Sequence, residues 1–497
     1  MSAYLTLEQR FRRIAALRDA QGLLNWDMST MMPEGGAEAR SEQLAAIEVT
    51  CHELMSDPAM ADFFEEALEE AQGLGVWERA NLREMRRRWQ HETALEARLV
   101  EALTRAGNRC EMIWRRARAD SDFAAVRPAL EELLALVVEA ASAKAAVFGC
   151  SRYDALLDEY EPGGSSATID RIFGDLAKFL PDFLERVLTR QQAAPAPLPL
   201  AGPFPTDKQR ALGRRLMEVV GFDFAHGRLD TSLHPFCGGV PDDVRITTRY
   251  DESDFAKSLM GVLHETGHAM YDRGLPEQWR GQPVGDACGM AIHESQSLLV
   301  EMQACRSPEF LRFMAPLARE AFGGSGPAWE ADNLIRIYNR VRPGFIRVDA
   351  DEVTYPAHVI LRYRLETAMI DGDLAVGDLP GAWNDGMREL LGIVPPDDRL
   401  GCLQDIHWYD GAWGYFPTYT LGAMAAAQIF AAARAAEPEI PAAIGRGDFG
   451  PLMDWLRKNV HAHGSFYKTE DLIAHATGRP LDPGIFEAHL AARYLEA

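Results

Sequence analysis

The sequence predicts a mainly α protein with one small β-sheet. Three observations carry that reading. Residues 5 to 192 keep the apolar rhythm of amphipathic helices almost without interruption. Residues 227–250 alternate instead and hold a Gly238-Gly239 turn and a β-rich run from Val244 to Tyr250. Directly after that stretch, a helical run carries His264-Glu265-Thr266-Gly267-His268.

Taken in order, residues 5–23 form the first expected helix, followed by Leu24-Asn25-Trp26-Asp27 and a loop with Pro33, Gly35 and Gly36. Helical pattern resumes from Ala37 to Leu54. Residues 76–106 read as one long helix with Leu82, Met85, Trp89, Leu95, Leu99 and Leu103 on a stripe. Its Arg86-Arg87-Arg88 cluster is expected to be a solvated face paired with acidic neighbours. More helix follows at 122–148 and 166–192. Residues 193–205 are proline-rich and form a semi-rigid connection. Thr206 or Asp207 then caps a helix to Val220. After the β stretch, whose edge is suited to pair with an extended peptide, come the two helices of the central motif. Further helices are expected near 307–322, 326–340 and after 346–366. Residues 401–420, dense in polar and aromatic residues, read as poor core and good active-site wall. No internal repeat is visible, and the chain is read as one domain. It comprises a helical region (residues 1–192), the connection (residues 193–205) and a catalytic region (residues 206–497).

The run from Asp254 to Tyr271 has Phe255, Leu259, Val262, Leu263, Met270 and Tyr271 at helical spacing, with Ser253 or Asp254 as N-cap. On such a helix His264 and His268 lie four apart, about 40° from eclipsed, so both imidazoles can reach one divalent ion. Zinc is the usual occupant of that pattern. Glu265 follows the first histidine, an offset that aims its carboxylate beside the ion, where water would sit. A break at Gly274, Pro276, Gly281, Pro283 and Gly285 precedes a second helical run from near Asp286 with His293-Glu294-Ser295. From His268 to Glu294 is 294 − 268 = 26 residues, enough for helix, loop and antiparallel helix. Two histidines and Glu294 would leave a fourth tetrahedral position open for catalysis.

The formal charge is 51 − 74 = −23, which argues against nucleic acid or an anionic membrane as partner. Apolar content of 47% suits a globular protein with a sizeable core. Seven scattered cysteines without a CxxC pair suit a reducing cytosol, and the location is read as cytoplasmic. The amphipathic N-terminus has no apolar core of a secretory signal, and Leu421 to Ala436 is too short and polar to span a bilayer.

Beyond the central motif, ordered segments match a family. They are His234-Pro235-Phe236, Asp243-Val244-Arg245-Ile246-Thr247, His293-Glu294-Ser295-Gln296-Ser297, Ile346-Arg347-Val348-Asp349-Ala350-Asp351 and Gly401-Cys402-Leu403-Gln404-Asp405-Ile406-His407-Trp408. Trp26-Asp27 through Met32-Pro33, with Gly35-Gly36-Ala37-Glu38-Ala39-Arg40, adds an N-terminal signature. The chain resembles the carboxypeptidase Taq family of thermostable metallocarboxypeptidases from residue 5 to its end. The resemblance implies a large helical peptidase fold with a deep substrate groove, similar in shape to neurolysin and angiotensin-converting enzyme, and a homodimer. It implies removal of single residues from peptide C-termini with broad specificity, sparing proline, with zinc as the metal and cobalt as an activating alternative.

Under that resemblance His264, His268 and Glu294 are the metal ligands. Glu265 is the general base that takes a proton from water and delivers it to the leaving amine. His293 either orients its neighbouring ligand or is packed away from it. A carboxypeptidase must also grip a free carboxylate, which a planar guanidinium does best. Arg347 and Arg245 are the candidates, each with acidic residues nearby, and the motif favours Arg347. Tyr415 and Tyr419 are candidates for the transition-state donor, one of them serving as packing; His407 is a further candidate for that role or for binding peptide backbone. His234 is expected to shape the closed end of the groove. His461 and His463 read as a polar helix-end pair and not a second metal site.

Overall fold

The computed structural model describes residues 2–496, a mainly helical protein with a single three-stranded sheet among those residues. The chain forms two compact units, each drawn from three separated stretches. One holds Met1–Glu92, Pro197–Tyr338 and Ala425–Asp482; the other holds Thr93–Ala196, Asn339–Met424 and Pro483–Ala497. The first 192 residues are therefore shared between both.

In the first unit, the opening helix runs Ala3–Thr30, longer than expected, because Trp26 lies on it as a buried face residue. It packs with Ala37–Met55 and Ala59–Glu69 around Leu7, Phe11, Met55, Met60, Phe64 and Met85. The sheet has β1 (Gly227–Thr231), β2 (Cys237–Val240) and β3 (Asp243–Thr248) in the order β1-β3-β2. β1 pairs with β3 in parallel and β2 with β3 antiparallel, with Gly238 opposite Arg245. Gly239 has φ 92°, and a Cβ there would meet the Asp243 carbonyl oxygen at 2.1 Å, so this tight turn requires glycine. The sheet leads into the helix Phe255–Gly274, capped by Asp254, whose Oδ1 accepts from the amides of Ala256 and Lys257.

The expected helix 76–106 is two helices, Val76–Thr93 and Ala97–Asp120. They belong to different units, a boundary that a continuous apolar stripe does not mark. The arginine cluster meets the expectation in part: Arg87 pairs with Glu84 of its own helix at 3.0 Å, but Arg88 reaches Asp286, distant in the chain, at 2.6 Å, and both arginines are half-buried and not on a solvated face. The second metal helix starts at Met290, four residues later than read, and continues after Leu298 as a π-helical segment, Leu299–Cys305.

In the second unit, helices Ala97–Asp120, Phe123–Phe148, Arg152–Tyr160 and Ser166–Ala193 join Tyr355–Asp371 and Leu379–Leu391. Residues 401–420 contribute more core than expected: Trp408, Tyr409, Trp413 and Phe416 are all buried. The buried Glu366 organises them, accepting from Tyr153 Oη, Trp408 Nε1 and the Gly414 amide at 2.9, 2.6 and 2.7 Å. Polar atoms in this segment are thus spent on internal bonds that allow aromatic burial. Among the described residues, no single helix is long and apolar enough to cross a membrane. All seven cysteines are unpaired.

Candidate metal centre

The two metal helices lie against each other because glycine permits it. A Cβ on Gly267 would stand 2.5 Å from the Gln296 carbonyl oxygen and 2.6 Å from Ser297 Cα. This close approach brings Glu294 to the face that bears His264 and His268. Glu294 Oε2 lies 3.8 Å from His264 Nε2 and 3.5 Å from His268 Nε2. The three donor atoms all fall within 4.8 Å of one another, so a single ion can touch all of them.

The donors are held from behind. His264 Nδ1 is 3.0 Å from Glu301 Oε2, and Glu301 Oε1 accepts from Arg306 at 2.6 Å. His268 Nδ1 is 3.1 Å from the His293 carbonyl oxygen. With each Nδ1 committed to an oxygen acceptor, each Nε2 faces the common point, where a metal ion would displace any proton and take its lone pair. Ser297 Oγ donates to Glu294 Oε2 at 3.3 Å and fixes that carboxylate. The charge balance agrees with the geometry. Burial pulls the His264 imidazole down, but Glu294, Glu301 and Glu265 outweigh it and hold the ring up at about 10. Burial, joined by His293, pulls His268 down to about 4. The anionic side of this pocket holds a cation, either a proton or a metal ion, and two imidazoles with one carboxylate are the donor set of an open catalytic site. The residues therefore fit the expected ion.

Glu265 is buried beside His264. Burial pushes its carboxyl up to about 7, with Glu294 adding to the rise and His264 opposing it. The His293 ring is not at the centre. It stacks on His268 at 4.4 Å, and its Nε2 meets Asp272 Oδ1 at 3.2 Å, so the residue orients His268 through its carbonyl and its ring face. His461 is buried and bonds Gln296 at 3.1 Å; burial pulls it down to about 3, so it is a neutral packing residue and carries no helix-end charge.

Other expected site residues fall into two groups. On the sheet, Arg245 pairs with Asp243 at 2.7 Å and lies 4.2 Å from the Trp26 ring centroid, which Arg228 flanks at 4.8 Å. His234 is exposed in the β1–β2 connection, its carbonyl accepting from Ser232 Oγ. In the second unit, Arg347, His407, Tyr415 and Tyr419 come together. His407 Nε2 is 3.3 Å from Tyr419 Oη, Arg347 lies 4.6 Å from the Tyr419 ring centroid, and the two tyrosine rings meet edge to face at 5.1 Å. Arg347 is bound by Asp405 at 2.9 Å, not by Asp349 or Asp351.

Sequence reading missed Glu301, Arg306, Asp272 and Asp405 as supporting residues. Glu301 had a signal, since it lies seven residues after Glu294 on an expected helix and so on the same face. Asp405 had only its place in the matching segment 401–408; its pairing had no signal, because Arg347 and Arg362 are distant in the chain.

Comparison with known proteins agrees with this centre along the whole chain. Residues 6–494 match the family described as Carboxypeptidase Taq (M32) metallopeptidase. Thermostable carboxypeptidase 1 of Thermus thermophilus is 37% identical, covering 99% of this chain and 98% of its own. Carboxypeptidase 1 of Bacillus subtilis is 33% identical, with 98% of both chains covered. Among solved structures, Trypanosoma cruzi metallocarboxypeptidase 1 superposes with a TM-score of 0.97 at 42% identity over 99% of each chain. With helical architecture, full-length similarity and the His-His-Glu donor set in agreement, the chain belongs to the carboxypeptidase Taq (M32) family of metallopeptidases.

Proposed function

We propose that this protein is a zinc-dependent carboxypeptidase that removes single residues from peptide C-termini with broad specificity and disfavours C-terminal proline. The observation that carries the reading is the triad His264, His268 and Glu294 with the buried Glu265 beside it. A divalent ion held there, zinc or cobalt, would supply Lewis acidity toward the scissile carbonyl and acidify water. The Glu265 carboxylate takes a proton from that water and passes it to the departing amine. Glu301 and the His293 carbonyl keep the two imidazoles in the tautomer that presents Nε2.

Arg347 is the preferred anchor for the terminal carboxylate, with Arg245 as the alternative. Both arginines are paired side-on, Arg245 with Asp243 and Arg347 with Asp405, but Asp405 is shared with Arg362, so Arg347 sits in a cluster with more cations than anions. Tyr415 and His407 serve the developing oxyanion, and Tyr419 and His234 contact the peptide. Both phenols and the His407 ring form one aromatic cluster, which supports a shared role. Burial pulls His407 down to about 4, so it acts as a neutral hydrogen-bonding group. The chain works as one metallocarboxypeptidase domain, in a cytoplasmic homodimer.

The test is mass spectrometry of a mixed peptide pool incubated with the protein, with and without chelator. Stepwise loss of one C-terminal residue, stopped by chelator and restored by zinc or cobalt, supports the reading. Dipeptide release or internal cuts replace it with an oligopeptidase, and no cleavage with any metal removes it.

A further inference from the structure

Two buried arginines share one aspartate in the second unit. Arg347 Nε and Nη2 donate to Asp405 Oδ1 at 3.2 and 2.9 Å. Arg362 Nε donates to Oδ2 at 2.6 Å. Side-chain exposure is 6% for Arg347, 0% for Arg362 and 12% for Asp405. Among the described residues no other carboxylate bonds either guanidinium. The remaining bonds go to neutral oxygens: Arg347 Nη1 to Tyr355 Oη at 3.3 Å, and Arg362 Nη1 to the His358 carbonyl at 2.8 Å. The neighbouring histidines add no charge, since burial and the two arginines pull His358 to about 3 and His407 to about 4. Aromatic faces flank both cations, Trp383 against Arg362 at 4.5 Å and Tyr419 against Arg347 at 4.6 Å. The cluster therefore holds one positive charge in excess. A buried unbalanced charge is costly, and an anion that completes the pairing relieves that cost.

We propose that Arg362, which is too deep to touch substrate, is a positioning residue for carboxylate recognition: it shares Asp405 from behind and leaves the cluster one positive charge in excess, which Arg347 offers to the substrate's C-terminal carboxylate. The inference rests on Arg347 being the anchor. It makes preference for a free carboxylate over an amide a property of the charge count and not of Arg347 alone.

The experiment measures inhibition constants of N-acetylphenylalanine and of N-acetylphenylalanine amide against peptide hydrolysis, together with thermal melting. Wild type binds the acid more tightly than the amide. In Arg362→Gln the acid/amide preference falls about tenfold, as loss of one nearby charge in a medium of intermediate dielectric requires, while amide binding stays unchanged. Arg362→Lys restores the preference to within about twofold, because the charge returns. Should Arg362→Gln not fold, Asp405→Asn tests the same count from the other side, and the preference rises. A folded Arg362→Gln with wild-type preference, an Arg362→Lys no better than Gln, or an Asp405→Asn with lowered preference overturns the inference. Arg347→Gln separates the two levels. If it abolishes the preference while Arg362→Gln does not, only the role of Arg362 fails; if it leaves the preference intact, the anchor assignment fails and takes the inference with it.

Discussion

At the residue scale, the donor set depends on atoms one step behind it. Glu301 holds His264 through Nδ1 and is itself held by Arg306. Replacing Glu301 by Gln keeps the shape and removes the anionic acceptor. Metal affinity, read by competition with a chromophoric chelator, is expected to fall about 10- to 100-fold. Unchanged affinity would show that the imidazole is oriented by packing alone. The same scale governs pH. A general base must be ionised, so kcat/KM falls as pH drops through the Glu265 pKa. That pKa is about 7 without a cation, and a divalent ion beside the carboxylate lowers it. The acid limb of the pH profile therefore lies below about 7, and it shifts or vanishes in Glu265 variants while the metal stays. His264, His268, Glu265 and Glu294 were all legible in the sequence, because helical spacing alone places the first three and a helix–loop–helix returns the fourth. Glu301 was legible only through its i+7 offset, and the role of Asp405 was not, since its segment matches the family but through-space pairing with Arg347 and Arg362 leaves no local pattern.

At the element scale, the candidate metal donors come together because two helices approach closely at Gly267. Gly267→Ala places a methyl 2.5 Å from a carbonyl oxygen, and backbone cannot yield as a flexible side chain would. We expect a loss of about 1–3 kcal/mol in stability, with weakened metal binding, because Glu294 moves with its helix. Melting curves with and without zinc read both effects; a variant that melts like wild type would contradict this dependence on close packing. Element existence and type were readable from periodicity for the opening helix, the sheet and both metal helices. Boundaries were less so. The stripe through 76–106 is continuous although the helix breaks at residues 94–96, because each half packs in its own unit and periodicity does not register a change of partner. The π-helical turn Leu299–Cys305 was equally invisible, since so short a run of i→i+5 bonding has no sequence signature of its own.

At the scale of the whole molecule, each unit is stitched from distant stretches, and buried ion pairs secure the stitching. Glu352 accepts from His489, Arg493 and Tyr494 at 2.8, 2.9 and 3.0 Å, which fastens the C-terminal helix to the second unit. Burial works to raise the Glu352 carboxyl, but Arg493 and His489 outweigh it and hold it well below the usual range; Arg347 and Arg362 do the same for Asp405. A carboxylate depressed in the fold contributes stability that is present above its unfolded pKa, about 4, and is lost as pH falls. His358 and His461, buried and neutral with pKa values near 3, act in the same direction from about pH 6.5 downward. The melting temperature should thus hold near neutrality and decline progressively below about pH 6.5, most steeply below about 4. A flat profile down to that point would contradict it. Glu352→Gln should cost about 3–5 kcal/mol, since it leaves the buried Arg493 without its carboxylate. This interleaving could not be read from the chain. Composition and periodicity report each segment's own preference, whereas the assignment of residues 1–92 and 93–196 to different units is decided by contacts between segments far apart in sequence.

All three scales bear on one proposed step, proton transfer by Glu265 beside the candidate metal site. The decisive assay is Glu265→Gln, measured for zinc content and for release of single C-terminal residues in the same preparation. We expect wild-type zinc stoichiometry with kcat/KM lowered by at least about 10²- to 10⁴-fold, the contribution of a positioned acid–base group. Full zinc occupancy with undiminished hydrolysis would refute the assignment of Glu265 as the proton carrier.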